Sequence, residues 1–432
     1  MTSPTLPTLF RESLKVGCLG FGGPAGQIAL MHRVFVDERK WIDDTRFQHM
    51  LAFCMLLPGP EAQQLATYIG WRLRGWAGAL IAGWMFVLPG ALIVLALSWL
   101  YVNYGAVPLV AAAFDGIKCA VVALVAEALL KVGKRALKTR TALVIAVVTF
   151  VALVLDAPFP LVIVAAALVG VLQPSPLGQG GAGGGANTTS PTELDRPPPQ
   201  PLPQGGGALS QAFLWLILWL APPTLIALTL GTDHVLFQIA LLFSILACVT
   251  FGGAYALLAY LTAEAAARGW LTPAQMIDGL GLAETTPGPL ILVNEFVGFL
   301  AGWSGGGLAL ALAGAAIALW CTFAPSFVWI FAGAPFAESL QRNPRAAGAL
   351  NAITAAVLGV IAKLALFFAA HALFARQIAI GPTEFPDLAS AHWWMVALAV
   401  AAGVALIRFK ANLLLVLAVC AAAGLAAQLL SL

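Results

Sequence analysis

At 432 residues, with 61% hydrophobic side chains, 9% charged and a net charge of +3, the chain lies far from the soluble norm of roughly 25% charged. A mean hydropathy of +0.92 excludes an ordinary soluble globule, and the scattered basic residues leave no footprint for nucleic acid. The expected fold class is an all-α polytopic membrane protein.

The first 75 residues are apolar but interrupted. Pieces at 6–20 and 24–36 flank Gly22-Gly23, and pieces at 46–57 and 61–73 flank Pro58-Gly59-Pro60. None reaches the roughly 20 residues that cross hydrocarbon, so each reads as a half-helix. Arg11, Glu12 and Lys15 interrupt the first piece, which therefore does not read as a cleaved signal. Longer segments follow at 76–103 and 108–130, then shorter ones at 141–155 and 158–172. The stretch 173–208 is rich in Gly, Pro, Ser and Gln and reads as a disordered cytoplasmic linker. An extra apolar segment runs over 211–230. The interrupted pattern then restarts with pieces at 236–250, 254–267, 274–286 and 290–301, followed by segments near 308–333, 346–375, 392–407 and 411–431. The expected organisation is a first repeat over 1–172, the linker, an extra helix over 209–231 and a second repeat over 232–432. It amounts to about 9 full spans with 4 re-entrant hairpins, or about 13 spans.

The interruptions recur in order. Phe21-Gly22-Gly23 precedes Trp41 by 20 positions and Pro58 follows 17 later; Phe251-Gly252-Gly253 precedes Trp270 by 19 and Pro287 follows 17 later. Glycine costs about 1 kcal/mol and proline about 3 in a helix interior, so these triplets are helix breaks inside apolar surroundings. Within a bilayer, irregular backbone persists only where protein or a wet cavity surrounds it. Breaks at matching places in two halves point to a transporter's binding site.

Loop charge sets orientation. Lys131, Lys134, Arg135, Lys138 and Arg140 mark a cytoplasmic loop, and the loop from Arg33 to Arg46 carries four basic residues. The latter favours a re-entrant hairpin before it rather than a broken span. Each repeat then makes an even number of crossings, and the segment at 211–230 inverts the second repeat relative to the first.

The paired pattern resembles the chromate ion transporter (CHR) family in its two-repeat form. It does so through Phe21-Gly22-Gly23-Pro24, Leu57-Pro58-Gly59-Pro60, Gly75-Trp76-Ala77-Gly78-Ala79, Pro89-Gly90, Pro287-Gly288-Pro289 and Pro325-Ser326-Phe327. The resemblance implies efflux of chromate across the cytoplasmic (inner) membrane of a bacterium, conferring resistance, with sulfate as a related anion. A homodimer is compatible with it.

A tetrahedral dianion suits helix N-termini, which offer unsatisfied N–H groups and about half a positive charge. Gly22, Gly23, Gly59, Gly252, Gly253 and Gly288 are therefore candidates for a backbone cradle, with close helix packing as the alternative. Gln63, Gln64 and Asn294 are candidate oxygen ligands. Lys118, three residues after Asp115 on one helical face, either meets the anion or neutralises itself in an internal pair. Lys363 has no acid within one turn and is expected to meet Glu127, Asp115 or the anion. Glu61 follows Pro60 directly and either partners the helix dipole or carries a coupling proton. Asp115, Glu127, Glu284 and Glu295 are further coupling candidates. Six cysteines stand singly in apolar runs, which predicts neither disulfide nor metal, and no cofactor is expected.

With no nucleotide-binding signature, protons or a counter-anion are the expected driving force. A sulfate permease and a passive anion channel are the alternatives; an enzyme lacks a nucleophile or metal constellation. The sequence therefore reads as a transporter.

Overall fold

The computed structural model describes residues 4–21, 23–173, 208–251, 254–337, 343–380 and 383–430. Most of the linker, together with Gly22, Gly252 and Gly253, lies outside the described residues.

Helix starts follow local chemistry. α1 (Leu6–Leu19) is capped by the Thr5 hydroxyl, and α2 (Gly23–His32) continues as a π-helical turn over Arg33–Glu38. Asp43 caps α3 (Asp44–Cys54) by accepting from the Arg46 amide. α2 runs back alongside α1: Lys15 pairs with Glu38 at 3.3 Å, and Arg39 pairs with the buried Glu12. Entry and exit thus lie together, as the charged loop at 33–46 led one to expect of a re-entrant hairpin.

α4 (Glu61–Tyr104) turns back on itself at Arg74-Gly75, where Gly75 takes φ 64°. Its two limbs pack so closely that a Cβ on Gly70 would stand 2.1 Å from the Gly78 carbonyl. The same hairpin recurs in the second half. A 3-10 turn (Leu290–Leu292) leads into α12 (Val293–Gly306), Gly307 turns at φ 78°, and α13 (Leu308–Gly333) returns with Gly314 against Gly298. Both turns need a left-handed backbone that L side chains rarely adopt, so glycine falls there in each copy.

α5 (Pro108–Ala136), α6 (Arg140–Val154) and α7 (Phe159–Leu172) complete the first repeat, and α8 (Ala208–Leu230) lies against α13. The second repeat contains α9 (Val235–Val249), α10 (Ala254–Ala267), α11 (Pro273–Thr285), α12 and α13. α14 (Pro344–Leu373), α15 (Trp393–Ile407) and α16 (Leu413–Leu429) follow. Thr272 and Gln275 form a reciprocal capping box at the start of α11. A short antiparallel hairpin, β1 (Gln377–Ile380) with β2 (Thr383–Pro386), occupies a stretch that read as plain loop.

The repeats exchange partners. α5 packs against α15 and α16 of the second repeat, and α14 packs against α6 and α7 of the first. Small residues permit this: a Cβ on Gly116 would meet the Cys420 carbonyl at 1.9 Å, and one on Gly348 the Gly170 carbonyl at 2.3 Å. The α4 hairpin crosses α13 at the centre, its first limb against Phe331 and its second against Phe327. Trp71, beside the level of Gly78, meets Phe331. Gly83 lies by Phe327, and Gly90 reaches Leu292, close to the Asn294–Thr322 bond. Rising numbers in α4 therefore meet falling numbers in α13, so the equivalent helices run in opposite directions. That is the relation of inverted repeats.

α4, α5, α8, α13 and α14 are long and apolar enough to cross a membrane; α6, α7, α9, α15 and α16 are apolar but shorter. Aliphatic residues such as Leu92, Val148, Leu161, Leu228 and Val400 face outward, as a lipid-facing surface requires.

Candidate functional site

Each Pro-Gly-Pro loop lies against the spans that cross, α4 and α13, and each is tied to the other repeat. The Gly59 amide donates to the Thr250 carbonyl at 2.8 Å, at the end of α9; the Gly288 amide donates to the Gly20 carbonyl at 3.0 Å, at the end of α1. Each bond satisfies a carbonyl at a helix C-terminus, where no intrahelical donor remains. Gly59 (φ 108°) and Gly288 (φ 96°) hold the left-handed turns that make this possible. The reciprocity extends to the spans: Gly90, after Pro89, lies against Gly288, and Ser326, after Pro325, lies against Gly59.

Buried amides brace the loops. Gln27 donates from Nε2 to the carbonyls of Gly288 (2.7 Å) and Gly20 (3.3 Å), and Gln64 donates from Nε2 to the Pro58 carbonyl at 2.6 Å. Carbonyl partners fix the orientation of both side chains, because only the NH2 end can donate. Gln63 and Asn294 instead face the hydroxyls of Thr67 (3.3 Å) and Thr322 (3.0 Å), which tolerate either amide orientation. Gln27, Gln63 and Gln64 are fully buried, and Asn294, Glu295 and Ser326 nearly so. Among the described residues, Gln27 Oε1, Gln63 Oε1, Gln64 Oε1, Asn294 Oδ1, Glu295 Oε2 and Ser326 Oγ have no hydrogen-bond partner. An orphaned buried polar atom costs about 1–3 kcal/mol, so such a concentration marks a place built to receive something.

Both half-helices leaving these loops start without a side-chain cap, at Pro60 and at Pro289. Their first-turn N–H groups remain for a ligand. Glu61 occupies the first turn of α4 and Glu295 that of α12, where carboxylates complement the dipole.

Other singled-out residues lie elsewhere. Lys118 pairs with Asp115 at 2.8 Å and, at 3.7 Å, with Asp278 of the second repeat, which also accepts from the Tyr101 hydroxyl at 2.8 Å. Lys118 thus sits in a network whose third member, Asp278, spacing did not disclose. Glu127 pairs with Lys131 at 2.7 Å, and Glu284 accepts from Tyr255 at 2.7 Å. Lys363 turns neither to Glu127 nor to Asp115: its Nζ donates to the Leu153 carbonyl at 2.5 Å, near the C-terminus of α6, where a cation suits the helix dipole. Gly23, at the start of α2, takes φ 71° with open space where a Cβ would stand. Gln27 is not among the sequence candidates, and Ser326 enters there only within the Pro325-Ser326-Phe327 motif. The parallel between Pro89-Gly90 and Pro325-Ser326 was the signal that Ser326 offered.

The family model described as chromate transporter matches residues 7–171 and 237–425, which takes in both loops and both spans of the crossing. The chain belongs to the chromate transporter family. The transporter is 33% identical to a chromate transport protein of Pseudomonas aeruginosa over 82% of its own length and 79% of that protein's. It is 28% identical to one of Cupriavidus metallidurans, over 86% of its own length and 85% of that protein's. A probable chromate transport protein of Synechococcus elongatus is 29% identical over 83% of each chain. No solved structure matches the transporter. The family is one of transporters rather than enzymes.

Proposed function

We propose that this transporter is a secondary active exporter of chromate, working by alternating access in a bacterial cytoplasmic membrane and giving chromate resistance. The reciprocal bonding of the two Pro-Gly-Pro loops carries the reading, because it gathers helix starts from both repeats at one buried, polar crossing. The names of the relatives supply the anion.

The donors come from three sources: the first-turn amides of α4, those at the start of the Leu290 turn, and the side chains whose orientation is not fixed. Ser326 Oγ–H, and Gln63 and Asn294 once their amides swing round, can each donate to an oxyanion. Gln27 and Gln64 are braces, and the Gly59 and Gly288 amides are engaged with carbonyls, so the cradle is formed by what those glycines position. Glu61 and Glu295 are neutral while the dianion is bound, since two carboxylates would repel it.

The test uses everted vesicles containing the full chain, energised to acidify the interior. Labelled chromate should accumulate well above the leak of empty vesicles, and Ser326→Ala and Asn294→Ala should raise the KM for chromate more than they lower abundance. No accumulation above leak would overturn the export reading. Stronger competition by sulfate than by unlabelled chromate would reassign the substrate.

A further inference from the structure

A second polar cluster lies away from the crossing. Asp115 and Lys118 on α5, Tyr101 on α4 and Asp278 on α11 form a network of two carboxylates and one ammonium. It contains the ion pair that joins the two repeats among the described residues. A purely structural pair is balanced one to one, but this network carries a surplus negative charge, and Asp278 is the buried member at 7% exposure. An uncompensated buried carboxylate is strongly disfavoured. Asp278 Oδ1 faces Lys118 at 3.7 Å but has no hydrogen bond among the described residues, so one oxygen is open to a proton.

Access is built in. A cavity of about 360 Å3 abuts the network and is lined by Asp115, Lys118, Thr272, His371, Gln377 and His392 among others. Ala274 also lines it, four residues before Asp278 and on the same face of α11. The space suffices for roughly ten waters at about 30 Å3 each. Asp115, at 45% exposure, connects the cavity to the outside.

We propose that Asp278 is the proton-binding site that couples transport to the proton gradient. This rests on the exporter reading above. One proton from the cavity adds to Asp278 Oδ1 and takes the network from a charge of −1 to zero. Lys118 keeps Asp115 as its counter-ion, so no cation is orphaned. The tie between α5 and α11 is then reduced from an ion pair to a neutral contact, which loosens α11 against α5. Few other charged groups face Asp278. α4 contributes Tyr101, α5 contributes Asp115 and Lys118, and α12 packs there through Phe296 against Gly279. α14 contributes His371, and His392 precedes α15, both across the cavity. From α10, Tyr255 bonds Glu284, almost two turns further along α11.

The test uses the full chain in liposomes with labelled chromate and an internal pH dye. Wild type should accumulate chromate under an inside-acid gradient and release internal protons as chromate enters. Asp278→Asn should keep chromate–chromate exchange at equal pH while gradient-driven accumulation and proton release fall about tenfold or more. Asp278→Asn that still accumulates chromate with proton release would overturn the assignment. Wild type lacking both exchange and accumulation would instead sink the exporter reading, so the two failures are distinguishable. Should Asp278→Asn not fold, Tyr101→Phe decides. Loss of a hydroxyl that stabilises the charged carboxylate should move the pH midpoint of driven uptake upward, and an unmoved midpoint would overturn the assignment.

Discussion

Gly90→Ala tests the crossing directly. A Cβ at this position would stand 2.1 Å from the Pro287 carbonyl and 2.7 Å from Leu292 Cδ1. The leucine tip can swing aside, but the carbonyl belongs to a loop held by the Gly288 amide on Gly20 and by Gln27 on Gly288. An ordinary carbon–oxygen contact is about 3.2 Å, so backbone must retreat by roughly 1 Å at the place where the repeats touch; overpacking of this kind costs about 1–3 kcal/mol. The assay is thermal unfolding of the purified chain with chromate uptake in the same preparation. The expected result is a melting temperature lowered by a few degrees and uptake reduced more than abundance. Gly133→Ala serves as the control, because its Cβ would meet Leu358 only at the ordinary distance of 3.6 Å. Gly90→Ala with wild-type melting and uptake would refute the close approach of Pro287 to α4.

Gln27→Leu should destabilise by about 1–3 kcal/mol, since it strips a donor from two buried carbonyls, whereas Gln48→Leu at the surface should be near neutral in the same melting assay. Lys118→Met should cost about 3–5 kcal/mol by leaving the buried Asp278 without its cation, while Lys363→Met, which takes an ammonium from the Leu153 carbonyl, should melt within about 1 kcal/mol of wild type. His32, at the mouth of the first hairpin, is raised above its usual range mainly by its hydrogen bond to Asp44 at 2.7 Å, and Asp44 is correspondingly lowered by His32. A raised folded-state value means that the histidine's contribution is complete below about pH 6.5 and is lost as pH rises from there through the raised folded-state value. The stability gap between wild type and His32→Gln should therefore be wider at about pH 5.5 than at about pH 8.5, and by well under 1 kcal/mol, because Asp44 is 66% exposed. A gap that widens toward alkaline pH would contradict the pairing.

Glycine and proline made the architecture readable. Pro58-Gly59-Pro60 and Pro287-Gly288-Pro289 act on the backbone of their own positions, so their meaning is local and survives without coordinates. The charged loop at 33–46 likewise announced the hairpin that Lys15–Glu38 and Arg39–Glu12 close. What escaped was long-range pairing. Asp278 is 160 residues from Lys118, and nothing in its neighbourhood of Met276, Ile277 and Gly279 names a partner. Lys363 found a carbonyl, a partner that every residue offers and that no sequence pattern marks. Gln27 and Ser326 were passed over because one buried amide or hydroxyl looks like any other until its neighbours are known.

The exchange of α5 and α14 between the repeats bears on how such a chain arose and how it can be divided. Each half builds its last two helices onto the other half's scaffold, and each loop's amide ends the other half's helix. A lone half would expose both a helix-binding face and a carbonyl with no donor. A one-repeat ancestor with this geometry is thus legible as an antiparallel pair of identical chains, and gene fusion would have fixed the stoichiometry of an assembly that already existed. By the same logic, the two halves cut apart at the linker and expressed together carry the surfaces they need to find one another.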